Sequence, residues 1–138
     1  MKPIQILLVE DNEGDVLLTM EALKEARIYN EVIVARDGEE AIRMLDDARS
    51  LPDLVLLDIN LPRIDGIEVL AYIKNNDLLK SIPVIMLSTS SDERDIKGAY
   101  MHHANCFISK PVGLQNFMDV IRTIENFWIS IVKLPQRA

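Results

Sequence analysis

A single cysteine, only 15 basic residues against 22 acidic ones, and no apolar run approaching the length of a membrane span limit what this 138-residue chain can be. One thiol cannot close an internal disulfide. Cys106, inside the apolar run Cys106-Phe107-Ile108, reads as a small buried hydrophobe in a protein of a reducing compartment. A net charge of −7 with no continuous basic stripe argues against a general binder of nucleic-acid backbone, which needs clustered cations to release counterions. The opening Met1-Lys2-Pro3 is followed by only a few apolar residues before Glu10-Asp11, too short and too soon charged for a signal peptide, so a cytoplasmic location without membrane contact is expected. Internal repeats, low-complexity tracts and Pro/Gly/Ser linkers are also missing. With 49% hydrophobic residues, the expectation is one domain over 1–138, with a core about 4–132 and a tail 133–138.

What is present is a rhythm. Five short Ile/Leu/Val-rich runs, Ile4–Val9, Val32–Ala35, Leu54–Leu57, Pro83–Leu87 and Cys106–Ile108, are closed by turn or charged residues, as strands buried on both faces should be. Stripes at helical spacing lie between and after them. They are Val16, Leu17, Met20 and Leu23; Ala41, Ile42, Leu45 and Ala48; Ile67, Leu70 and Ile73; Ile96, Ala99 and Tyr100; and Phe117, Val120, Ile121, Ile124 and Trp128. Asn12, Asp37 and Ser90 can each cap a helix, with Asp15, Glu40 and Glu93 three positions later. Strand and helix alternating five times, with right-handed crossovers, predict an α/β fold: a doubly wound (βα)5 sandwich around a five-stranded parallel sheet.

The strand ends carry the chemistry. Glu10 and Asp11 leave the first run and Asp58 the third; they meet if the strand order is the flavodoxin-like 2-1-3-4-5. Three crowded carboxylates repel one another unless a cation joins them. An all-oxygen set suits Mg²⁺ better than zinc, with the backbone carbonyl of Asn60 as a further ligand. Beside such an ion Asp58 can attack a phosphoryl group, while Lys110 and the Ser88 hydroxyl offer a cation and a hydrogen bond to the transferred oxygens. The product is an aspartyl phosphate.

These residues resemble the receiver domains of two-component response regulators. The resemblance covers essentially the whole chain and rests on Leu-Leu-Val-Glu10-Asp11-Asn, Leu-Leu-Asp58-Ile-Asn-Leu-Pro62-Arg-Ile-Asp-Gly66, Ser88, and Phe107-Ile-Ser-Lys110-Pro111, in that order. It implies that Asp58 accepts phosphate from a histidine kinase, that Glu10 and Asp11 hold Mg²⁺, that Ser88 and Lys110 contact the phosphoryl group, and that Phe107 is an aromatic switch. It also implies a cis peptide between Lys110 and Pro111. The opening Pro-Ile-Gln-Ile-Leu-Leu-Val-Glu-Asp-Asn-Glu-Gly-Asp, Ala104–Ile108 and Ile124-Glu-Asn-Phe-Trp128 are similar to stand-alone regulators that partner bacterial phytochrome kinases, in which the final helix joins a homodimer. Thr89 stands where the family usually has Ala or Gly and is expected to narrow access to the site; Asn60 and Ser90 are grouped with it as modulators of access and phosphate lifetime. Phe107 replaces a frequent Tyr, so its switching relies on packing.

The expected output surface is Asp92–His103, Ala104–Ile108 and Leu114–Ile131, where Met118, Phe127, Ile129 and Val132 add apolar surface suited to a homodimer. His102 and His103 read as helix-end residues and Trp128 as packing or interface. Two competing functions are weaker. A haloacid-dehalogenase-type phosphatase wants a second Asp where Asn60 stands and its nucleophile on the first strand; a receiver-like interaction module working without phosphorylation has no need of the full acid, Ser and Lys set.

Overall fold

The computed structural model describes residues 3–25, 30–89, 92–111 and 113–135, without the side chains of residues 48 and 129–131. Five strands, β1 (Ile4–Val9), β2 (Asn30–Ala35), β3 (Leu54–Leu57), β4 (Val84–Ser88) and β5 (Cys106–Ser109), form one parallel sheet in the order β2-β1-β3-β4-β5. They alternate with α1 (Glu13–Lys24), α2 (Gly38–Leu45), α3 (Gly66–Lys74), α4 (Glu93–Met101) and α5 (Leu114–Ile124). This is the expected doubly wound sheet and strand order.

Period-two alternation divides each central strand between two cores. Ile6 and Leu8, Leu54 and Leu56, Ile85 and Leu87 pack with Val16 and Leu23 of α1 and Phe117, Ile121 and Ile124 of α5. Leu7 and Val9, Val55 and Leu57, Val84 and Met86 face the other way, against Ala41 and Leu45 of α2, Val69, Leu70 and Ile73 of α3, and Ala99 of α4. The Lys74 ammonium ties the incoming ends of β4 and β5 together, donating to the carbonyl of Ile82 at 2.8 Å and to Asn105 Oδ1 at 3.1 Å.

Several local expectations change. Asn12 and Asp37 do cap α1 and α2, accepting from the N–H groups of Asp15 and Glu40. Ser90 lies outside the described residues, and α4 is capped instead by Asp92, which directly precedes its first turn and accepts from Arg94 N–H at 2.8 Å. Leu17 is 62% exposed; Thr19 takes the inward place, its hydroxyl satisfied by the Asp15 carbonyl at 2.7 Å. Tyr100 is also half exposed, its hydroxyl accepting from Phe107 N–H at 3.1 Å. Beyond α5 the helix widens into a π-helical stretch, Glu125–Ile131, closed by an N–H of Val132 donating to the Phe127 carbonyl. Along it Phe127 is exposed and Trp128 packs on the core, as their spacing implies, with the two rings edge to face at 5.9 Å. Met118 is partly buried on the same core, so it contributes less free apolar surface than expected. Among the described residues no helix is long and apolar enough to cross a membrane.

Candidate functional site

Register brings the site together. Val9 pairs with Leu57 at the outgoing ends of β1 and β3, so the next residues, Glu10 and Asp58, emerge side by side; Asp58 N–H continues the ladder to the Val9 carbonyl at 3.1 Å. On the other flank Ser88 pairs with Ser109, and Lys110 N–H donates to the Ser88 carbonyl at 2.7 Å. The β3–α3 connection folds back so tightly that Gly66 N–H reaches the Ile59 carbonyl at 2.8 Å. A Cβ on Gly66 would stand 2.1 Å from the Asp58 carbonyl oxygen, so only glycine fits there.

Glu10, Asp58, Ser88 and Lys110 are all buried, unusual company for a solvated turn. The Lys110 ammonium donates to Glu10, to Asp15 at 2.9 Å and to Asp58 at 3.3 Å. Its position does not depend on a cis bond: the described residues contain none, and the Lys110–Pro111 peptide is trans, the commoner form for a residue before proline. The three acids hold the side chain inward instead. Asn60 donates its backbone N–H to Asp58 Oδ1 at 3.2 Å and its amide to Ser88 Oγ at 3.3 Å, bridging the acid and the hydroxyl. Thr89 is exposed at the rim and Phe107 is half-buried against the α3 and α4 side of the sheet.

Carboxylate oxygens of Glu10, Asp11 and Asp58 all lie within 4.8 Å of one another, an arrangement that fits one hard divalent cation. The electrostatics agree with that donor set. Burial pushes the Glu10 carboxyl up to about 7; the Lys110 hydrogen bond opposes the rise and the Asp58 charge adds to it. For Lys110, burial alone would lower the pKa, but hydrogen bonds to Glu10 and Asp15 and the charge of Asp58 more than reverse this, so the ammonium stays charged.

One participant was not expected. Asp15 reads in sequence as part of a helix-start pattern, yet its side chain turns back to Lys110. Its spacing from Asp11, four residues on across a helix start, is a signal only once the lysine is known to lie opposite. A cavity of about 320 Å³ lined by Gln5, Leu7, Ile33, Arg43, Met44 and Pro52 does not include the acids.

The family model for the response regulator receiver domain matches residues 6–122. The chain is 44% identical to the response regulator Rcp1 of Synechocystis over 96% of its own length and 94% of that protein's. The Mn²⁺-bound form of Rcp1 superposes with a TM-score of 0.94 at 43% identity, covering 97% of this chain and 100% of that one. The phosphorylated cyanobacterial phytochrome response regulator RcpA gives a TM-score of 0.94 at 45% identity, covering 98% and 100%. The bacteriophytochrome response regulator AtBRR gives a TM-score of 0.72 at 42% identity, covering 93% and 96%. With a cluster of two buried acids and one exposed acid suited to a divalent ion at the strand ends of its 2-1-3-4-5 sheet, the chain belongs to the response regulator receiver family, phosphoacceptor signalling proteins rather than catalytic enzymes.

Proposed function

We propose that Asp58 is the phosphoacceptor, taking a phosphoryl group from a sensor histidine kinase. A carboxylate oxygen of Asp58 attacks phosphorus, the P–N bond to the donor imidazole breaks, and the imidazole keeps the electron pair and takes a proton from solvent. Glu10, Asp11, Asp58 and the Asn60 carbonyl hold the ion, proposed as Mg²⁺, which when bound offsets the charge of acids and phosphoryl oxygens. Lys110 and Ser88 contact the transferred oxygens. The observation that carries this reading is the gathering of one amine and three acids in a pocket where Lys110 Nζ lies 3.3 Å from Asp58 and the acids are within 4.8 Å of one another. The test is intact-mass labelling with acetyl phosphate and Mg²⁺: wild type gains one phosphoryl group and Asp58→Asn gains none. An unlabelled wild type would favour the interaction module that works without phosphorylation.

Ser88 then exchanges the Asn60 amide for a phosphoryl oxygen, and Phe107 takes up the space released, biasing the α4-β5-α5 face between two packings. Thr89 narrows the approach to the site; an unchanged aspartyl-phosphate lifetime in Thr89→Ala removes that role. With Asn60 and Ser90 it sets access and lifetime. The whole of 1–138 acts as one receiver unit, core about 4–132 and tail 133–138, in the cytoplasm. Its input is a phytochrome-type kinase, by likeness to RcpA and AtBRR, and it forms a homodimer through α4-β5-α5 and the terminal helix, where Tyr100, Met101, Leu114 and Phe127 are exposed. Sedimentation that finds only monomer at high concentration, with and without a phosphate mimic, would refute the dimer.

A further inference from the structure

We infer that Asp15 is a positioning residue: it keeps Lys110 in the pocket when a divalent ion occupies the other acids. This rests on the phosphoacceptor reading of Asp58 but draws on a different observation. Lys110 has three ammonium hydrogens and three carboxylate partners, Glu10, Asp15 and Asp58. Two of those partners belong to the set of oxygens close enough to share one ion, Glu10 and Asp58 with Asp11; Asp15 does not. Loading the ion therefore competes with the lysine for Glu10 and Asp58, and Asp15 is the acid left to it. That remaining partner matters because the Lys110 side chain is only 4% exposed, and a buried ammonium left without an anion is costly.

Asp15 is itself held. Its N–H donates to Asn12 Oδ1 at 2.9 Å, its carbonyl accepts from the buried Thr19 hydroxyl at 2.7 Å, and its carboxylate meets Lys110 Nζ at 2.9 Å, closer than Asp58 does at 3.3 Å. The first turn of α1 thus fixes where the amine points. With Asp15 gone, Lys110 has only Glu10 and Asp58 to pair with and competes harder with the ion.

The experiment is a double-mutant cycle of Asp15→Ala and Lys110→Ala on the full chain. It is read by Mn²⁺ affinity, from the free-ion electron paramagnetic resonance signal, and by the rate of Asp58 labelling with acetyl phosphate at saturating Mn²⁺. Asp15→Ala is expected to weaken Mn²⁺ binding about fivefold and to slow labelling about tenfold while Lys110 is present. In the Lys110→Ala background it changes Mn²⁺ affinity by less than about twofold, because the residue acts through the lysine. Asp15→Glu restores most of the labelling rate. Equal factors with and without Lys110, or no effect in either, overturn the inference. If Asp15→Ala does not fold by circular dichroism, Asp15→Asn, which keeps the shape and removes the charge, takes its place. A wild type that is not labelled at all defeats the phosphoacceptor reading, while the Mn²⁺ cycle still decides the role of Asp15.

Discussion

The middle of the sheet and its β5 edge are built from similar apolar residues but covered very differently. All four residues of β3 and all five of β4 are buried, whereas none of Cys106–Ser109 is fully so. Over them, α3 buries Gly66, Val69, Leu70 and Ile73, while α4 buries Ala99 alone. Glu10, Asp11, Asp58 and Ser88 sit at the ends of well-packed strands and only Lys110 follows the thinly covered β5, while the proposed output surface lies where little packing has to be undone. Local opening costs least where few apolar groups are buried, so the proposed switch would rearrange this face at less cost than the strands that carry the acids.

The largest test of this contrast removes the same side chain from both regions. Ile85→Ala, at a fully buried site of β4, is expected to cost about 4 kcal/mol in urea unfolding, and Ile108→Ala, at a half-buried site of β5, about 1.5 kcal/mol. Equal losses would erase the distinction. The next uses glycines. Gly66→Ala forces a methyl group onto the Asp58 carbonyl and is expected to cost about 3 kcal/mol and to slow labelling of Asp58. Gly98→Ala in α4, where nothing lies within 4 Å, should instead stabilise by about 0.7 kcal/mol through helix propensity and a less flexible unfolded chain. Opposite signs sharpen the comparison; the same sign breaks it.

The remaining test is of pH. Glu10 is raised from 4.5 to about 7, so between those values the native state binds more protons than the unfolded one, and ion-free stability falls as pH rises through that window. Divalent ions need the ionised carboxylate. Their affinity should therefore climb about tenfold per pH unit up to about pH 7 and then level off. Calorimetric titration with Mn²⁺ at several pH values checks both limits, and a flat profile would mean that Glu10 is not a ligand.

The pocket was legible because strand ends are easy to read: a buried parallel strand is a short apolar run, and where it stops, its register fixes its neighbours. Glu10, Asp58, Ser88 and Lys110 needed only the strand order to be placed together. What escaped depends on tertiary partners or on departures from regular period. Asp15 has a sufficient local explanation at a helix start, which hides its reach to Lys110. The wider turn of Glu125–Ile131 has no signature in the apolar spacing, although Trp128 packs on the core and Phe127 is exposed as that spacing implies. Leu17 fits an apolar stripe, but Thr19 buries more readily once its hydroxyl donates a hydrogen bond to the Asp15 carbonyl. The bond before Pro111 is trans, and the Lys110 side chain still meets its three carboxylate partners.

The Tyr100 hydroxyl on the backbone of Phe107 has a consequence for assembly. It occupies an N–H in the middle of the sheet's last strand, where an incoming extended segment would otherwise pair. In the proposed homodimer a second copy would thereby be steered away from lengthening the sheet across the contact and toward interlocking side chains.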